Sequence, residues 1–240
     1  MCGFFGLQSF SLDKSEKISV SRRAIKLLNS RGPDANGYVL DDNDNLVFSH
    51  NRLSILDLTE TGSQPMVSNS GNLLMIYNGE IYNHLILRQE LKDNNSFNNW
   101  KGTSDSETLI QAIDIWGIEK TLKKINGMFS FSIWNRQSKS LYLARDRFGE
   151  KPLYYSWIPQ NASFVFGSDL IFDKLFKNIR FELNDEALND LLHLNYINNN
   201  YTIFKNVYKL DPGCYSEIHF KKNQSPKINI QKYWKLENIN

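Results

Sequence analysis

Cys2 stands directly behind the initiator, so removal of Met1 would leave a thiol and a free α-amino group on one residue. That pair can act as a nucleophile and its general base. Cysteine reacts as its thiolate, whose ordinary pKa is ~8.5. An α-amine titrates at ~7.7–8.0, near enough to neutrality to take a proton and return it to a departing amine. Arg52 precedes Leu53-Ser54-Ile55-Leu56, and its planar fork suits a carboxylate in a way lysine does not. Tyr77-Asn78-Gly79-Glu80 closes an apolar run. Asn-Gly is a strong turn signal and, taken alone, predicts a hairpin turn. As chemistry, an amide N–H beside a backbone N–H with no side chain in the way can hold an oxyanion. Asp105 lies one residue inside Ser104-Asp105-Ser106-Glu107, the spacing of a capping box, where the helix dipole steadies a carboxylate.

Two more polar segments sit against apolar stretches: Arg31-Gly32-Pro33-Asp34 and the charged run from Arg145 to Tyr155. The first also reads as a helix-stopping turn with an internal Arg–Asp pair, and the second as a charged turn joining two strands. His50 or His84 could serve Cys2 as a base instead of its own amine, although neither has a local signature for that role. The four histidines are too scattered for zinc spacing. Cys2 and Cys214 form neither a metal pattern nor a disulfide framework, and Cys214 reads as a packing residue.

The elements that must position these groups are mixed. Strands are predicted at Cys2 to Leu7, Gly37 to Leu40, Leu46 to His50, Leu73 to Tyr77, Leu153 to Trp157 and Phe164 to Phe166. Met128 to Trp134 and Leu141 to Ala144 read as a hairpin around Asn135 to Ser140. Helices are predicted at Val20 to Leu28, His84 to Leu91, from Ser104 onward, and at Ile118 to Ile125, Ile171 to Phe176 and Glu186 to Leu194. Asn94 to Asn99 and Asn198 to Asn200 read as exposed loops, and the stretch from Gln224 as a worn edge or the start of a linker. Hairpins outnumber crossovers, so antiparallel sheets packed with helices fit better than a Rossmann fold, and no Gly-rich phosphate loop is present.

Length and composition agree with an ordinary globular chain: 240 residues, 41% hydrophobic and 22% charged. A net charge of +2 gives no argument for nucleic acid or an anionic membrane. No apolar run approaches the ~18 residues of a membrane span, and the N-terminus lacks signal-peptide character, so a cytoplasmic protein is expected.

Met1-Cys2-Gly3, Arg31-Gly32-Pro33-Asp34, Arg52-Leu53-Ser54-Ile55, Gln64-Pro65-Met66, Asn78-Gly79-Glu80-Ile81-Tyr82-Asn83, Ser104-Asp105-Ser106-Glu107, Asn126-Gly127-Met128-Phe129 and Arg145 to Tyr155 together resemble the class II glutamine amidotransferases. The match is most similar to the glutaminase domain of glutamine-hydrolysing asparagine synthetases, and runs from residue 1 to about Trp234. Val207 to Gly213 and Tyr233-Trp234 are similar to the family's closing strands. The resemblance implies an α+β N-terminal-nucleophile hydrolase fold, an αββα four-layer sandwich of two antiparallel sheets.

It further implies Cys2 as nucleophile with its own amine as base, and Asn78 and Gly79 as the oxyanion hole. Arg52 would hold the glutamine α-carboxylate, the backbone of Leu53, Ser54, Ile55 and Leu56 would line the pocket, and Glu80 and Asp105 would receive the α-ammonium. The implied reaction hydrolyses the side-chain amide of L-glutamine through a thioester, with no metal or cofactor. ATP and Mg belong to a synthetase domain whose Ser-Gly-Gly-x-Asp-Ser loop this chain lacks. A synthetase domain or partner subunit is the implied recipient of ammonia, its acceptor being aspartate, a sugar or another acid, and a homodimer is one assembly open to the chain. The expected division is a glutaminase domain over 1–235, with 236–240 a tail or linker. The chain departs from the family at Gly167 and Asp169, where Ala and Glu are usual. Two other readings are a non-catalytic glutamine-binding or interaction module, and an amidase for another amide.

Overall fold

The computed structural model describes residues 1–41, 43, 45–198, 200–222 and 224–236. The first strand, β1 (Gly3–Ser9), is buried along its whole length, which explains why it reads as a continuous apolar run. It is followed by α1 (Lys14–Leu27), β2 (Ala35–Asp41), β3 (Leu46–Arg52), β4 (Met66–Val67) and β5 (Leu73–Ile81). Then come α2 (His84–Asp93), α3 (Asp105–Trp116), α4 (Ile118–Lys124), β6 (Gly127–Asn135), β7 (Ser140–Arg145), β8 (Tyr154–Ile158) and β9 (Ser163–Gly167). The chain closes with α5 (Phe172–Leu175), α6 (Asp185–Leu194), β10 (Val207–Lys209), β11 (Cys214–His219) and β12 (Lys227–Lys232).

Two six-stranded sheets form, ordered β10-β8-β9-β1-β3-β2 and β12-β11-β7-β6-β5-β4. Every strand pairing within each of them is antiparallel. Three apolar layers hold the stack together. Between the sheets, Phe4, Leu46, Phe48, Phe164 and Phe166 meet Leu74, Ile76, Trp134, Leu141 and Leu143. Val20, Ala24 and Leu28 cover Phe5, Leu7 and Val47 on the outside of the first sheet. Leu109, Ile110, Ile113 and Leu122 cover Met75, Tyr77, Phe131 and Ile133 on the outside of the second. Helix, sheet, sheet, helix is the αββα order expected from sequence.

Three local expectations change, and at the C-terminus one of two readings holds. Asn78-Gly79 is no turn: β5 runs straight through it, paired Asn78 to Ser130 and Gly79 to Phe129 on β6. A Cβ on Gly79 would lie 2.3 Å from the Met128 carbonyl, so tertiary packing claims a glycine that local statistics assign to a hairpin. α1 starts six residues earlier than the apolar pattern suggests, because Asp13 and Glu16 form a reciprocal capping box. Ser104 does cap α3, accepting from Glu107 N at 3.2 Å, but the Glu107 carboxylate turns away to the N–H groups of Lys101 and Gly102. The segment after Gln224 is edge strand rather than linker, and it returns Tyr233 and Trp234 to the body of the domain. The Tyr233 hydroxyl donates to Arg145 O at 2.9 Å, and the Trp234 ring meets Phe148 at 5.1 Å. Residues 237–240, assigned with Leu236 to a tail or linker, lie outside the described residues.

Candidate active site

Cys2 immediately precedes β1, an inner strand of its sheet, and the sequence around it is organised to hold that end still. Arg31 donates from Nε to Cys2 O at 3.2 Å, and its Nη1 lies 3.5 Å from Asp169, the residue that departs from the family pattern. Three residues on, Asp34 donates its N–H to Arg52 O at 3.0 Å and accepts from Ser54 N at 2.8 Å. The Arg-Gly-Pro-Asp segment therefore fastens the nucleophile's strand at one end and the chain leaving β3 at the other.

The Cys2 sulfur accepts from Leu53 N at 3.4 Å. Burial pushes its thiol pKa up, against the Leu53 N–H and the charges of the amino terminus and Arg52, with Asp105 adding to the rise. A thiol held up in this way stays protonated at neutral pH, so an adjacent base must deprotonate it for attack. Met1 is present and exposed, and its sulfur lies 3.1 Å from the Lys151 ammonium.

Arg52 closes β3, with its guanidinium donating to Thr59 O at 2.7 Å and to Asp57 O. The loop that supplies these carbonyls is knotted by the Asp57 carboxylate. It accepts from Thr59 N and Oγ1, from Thr61 Oγ1 and from Thr103 N, all within 3.0 Å. Burial alone would raise Asp57, but these hydrogen bonds hold its carboxyl well below the usual carboxylate range.

β5 forms the opposite wall. Tyr77 N donates to Gln64 Oε1 at 2.7 Å and Ile81 N to Asp105 Oδ2 at 2.8 Å, both away from β6. Strand N–H groups alternate edges with period two, so the Gly79 N–H points to the same open edge, between Gln64 and Asp105. Next to it, Asn78 is 1% exposed and its side-chain Nδ2 has no hydrogen-bond partner among the described residues. A buried amide donor left unpaired costs about 1–3 kcal/mol. Such a cost is intelligible where a ligand oxygen completes the bond.

Asp105 is fixed by Tyr77 as well, whose hydroxyl donates to Oδ2 at 2.7 Å. Burial first, then the Asp105 charge, raise the Tyr77 pKa well above its ordinary value, so this hydroxyl remains a donor.

These groups enclose one cavity of about 240 Å³. Cys2, Arg52, Leu53, Ile55, Leu56, Asn78, Gly79, Glu80 and Asp105 all line it. Ser54, expected with them, does not; its N–H is turned to Asp34. Asp57, Gly62, Gln64, Met128 and Lys151 also line the cavity without having been singled out from sequence as site residues. Gln64, Met128 and Lys151 lie inside the motifs named above, but a role that depends on a distant strand leaves no local pattern.

The alternative bases fall away. His50 is fully buried beyond the cavity lining, its Nε2 3.0 Å from Tyr77 O, and burial lowers its pKa to about 4. His84 is half-buried and also outside the lining. In the Arg145 to Tyr155 run, Arg145 and Asp146 hold main chain: Arg145 donates to the carbonyls of Gly149, Lys151 and Leu210. Asp146 accepts from the N–H groups of Phe129, Phe148, Glu150 and Lys151. Cys214 is buried in the layer between the sheets, as a packing residue should be. No helix among the described residues is long and apolar enough to cross a membrane.

Comparison with known proteins agrees with this architecture. A family described as "Glutamine amidotransferase domain" matches residues 1–234. Asparagine synthetase [glutamine-hydrolyzing] 1 of Bacillus subtilis (strain 168) is 36% identical over 94% of this chain and 36% of its own length. Asparagine synthetase [glutamine-hydrolyzing] 2 of the same organism is 31% identical over 100% of this chain and 31% of its own. The chain thus spans about a third of the length of these relatives. Among solved structures, the allosteric regulatory enzyme of purine biosynthesis superposes with a TM-score of 0.68 at 17% identity, covering 97% of this chain and 49% of that one. At that identity the likeness speaks for the fold.

Proposed function

The chain belongs to the glutamine amidotransferase domain family, and from that premise we propose that it hydrolyses the side-chain amide of L-glutamine through a thioester on Cys2. Loss of Met1 frees the Cys2 amine, which takes the thiol proton as sulfur attacks the amide carbon. The carbonyl oxygen becomes an oxyanion and receives hydrogen bonds from Asn78 Nδ2 and Gly79 N. As the C–N bond breaks, the amine passes its proton to the departing nitrogen, releasing ammonia and leaving the γ-glutamyl thioester. Water then adds with the amine again as base, the thioester bond breaks, and glutamate leaves with the Cys2 thiol restored.

Free glutamine carries one charge of each sign beside its amide. Arg52 meets the α-carboxylate and Glu80 with Asp105 meets the α-ammonium, so these charges of the cavity complement those of the substrate. Each step is served by groups of the chain itself, with no metal or cofactor entering the glutaminase reaction.

The observation that carries the reading is the buried, unpartnered Asn78 amide in the same cavity as Cys2. A glutamine-binding module without catalysis has no need of a thiol beside that donor. We take residues 1–235 as the catalytic unit, in the cytoplasm, delivering ammonia to a synthetase region in the same chain or a partner subunit. The names of the relatives make aspartate the first acceptor to test. Ammonia release from glutamine by the purified chain, set against Cys2→Ala, tests the reading: it expects release from the first and none from the second. Equal release from both would refute it.

A further inference from the structure

Lys151 is 5% exposed and lines the same cavity as Cys2, yet its ammonium makes no ion pair among the described residues. Its contact is the sulfur of Met1, at 3.1 Å. A buried ammonium is costly unless it is compensated, and a thioether is a weak acceptor. Met1 is the residue whose removal the reaction requires. We propose that Lys151 is a positioning residue of the processed site, its charge holding the α-amine of Cys2 in the neutral, proton-accepting form. This inference rests on the glutaminase reading above.

Bond geometry brings the two nitrogens close. The Met1 sulfur is five bonds from the Cys2 nitrogen, at most about 6 Å, so the ammonium lies within about 9 Å of it. Once Met1 is gone, the space it occupied also opens to the lysine side chain.

Other charges face this point. Glu80 on β5 and Asp105 on α3 favour the protonated amine, while Arg52 on β3 opposes it. Asp57, in the loop after β3, is saturated by its four donors. Arg31, after α1, lies against Asp169, and Asp146 is taken up by backbone N–H groups of its own turn and of Phe129 on β6. When glutamine binds, its α-ammonium answers the two acids and its α-carboxylate answers Arg52. Lys151 remains the uncompensated charge, at the moment when the amine must be neutral. At an effective dielectric of about 20, a like charge 7–9 Å away shifts an amine by about 1.4–1.7 pH units, and salt screening brings this toward about one.

The direct test is the titration of the α-amine in processed chain labelled with [15N]cysteine, where Cys2 alone carries an amine. The proposal expects a midpoint in the wild type below the ordinary ~7.7–8.0, and about one unit higher in Lys151→Met. The acidic limb of kcat/KM for glutamine should move up by the same amount in Lys151→Met, return in Lys151→Arg, and leave KM at pH 8.5 within twofold. A wild-type midpoint at or above the ordinary value overturns the proposal, as does an unmoved limb in folded Lys151→Met. A processed wild type that releases no ammonia refutes the glutaminase reading instead, while the amine titration still decides the role of Lys151.

Discussion

The Arg52 guanidinium fills the space that Gly62 leaves by having no side chain: a Cβ there would lie 2.2 Å from Nη2. The same group is bound to the carbonyls of Asp57 and Thr59, just before Gly62's short helical turn (Glu60–Gly62). The obstruction in Gly62→Ala is the far end of a flexible side chain, so the arginine shifts and the fold survives. We expect KM for glutamine to rise about tenfold with kcat within a few-fold, the signature of lost uniform binding. Arg52→Ala should raise KM further. An unchanged KM in either variant would remove Arg52 from the carboxylate role.

Gly79 presents the opposite case. Its missing Cβ would strike the Met128 carbonyl and Phe129 Cα, which no rotamer can relieve. Gly79→Ala should lower thermal stability by about 1–3 kcal/mol and suppress kcat together. Asn78→Ala should instead fold normally and lose about 10²–10³ in kcat at little cost in KM. A large KM effect with kcat retained would place Asn78 in substrate binding rather than oxyanion stabilisation.

Tyr77→Phe removes one of the two donors to Asp105 Oδ2 and leaves Ile81 N as the other. A loss of about 0.5–1.5 kcal/mol in stability is expected. KM should rise a few-fold as the carboxylate gains freedom. Calorimetry alongside steady-state kinetics checks both; a stability loss without any KM change would separate Asp105 from the substrate.

His50 gives a pH signature independent of activity. Its pKa is about 4 in the folded chain and ordinarily 6.5, so between these values the unfolded chain binds a proton that the folded chain refuses. The neutral histidine's contribution is intact above pH 6.5 and is lost as pH falls toward 4, about 3 kcal/mol in all. Urea unfolding at stepped pH should show this slope in the wild type and a shallower one in His50→Gln. Parallel slopes in both would count against the buried neutral imidazole.

The fold was legible where the apolar pattern has one period. Phe4-Phe5, Leu46 to Phe48 and Leu73 to Tyr77 announce strands, and the outer helices announce themselves through Ala24, Leu109 and Leu122. It was less legible at Asn78-Gly79, where local turn chemistry competes with the approach of β6. Charge hid the start of α1, because Lys14 to Lys17 carry no apolar face. In the site, Cys2, Arg52, Asn78, Gly79, Glu80 and Asp105 were all identified by residue type and motif, and the structure brings them to one cavity. Asp57, Gly62 and Gln64 act by holding main chain or by leaving space, and Lys151 by where its ammonium ends. Those roles depend on residues far apart in sequence.

The central claim is that Cys2, with its own amine freed, carries the glutamyl group. The most direct measurement is peptide mapping by mass spectrometry of chain acid-quenched during glutamine turnover. The account predicts an N-terminal peptide that begins at Cys2, lacks Met1 and carries a γ-glutamyl thioester on the Cys2 sulfur. A glutamyl adduct on Cys214, or full turnover by chain that still carries Met1, would contradict it.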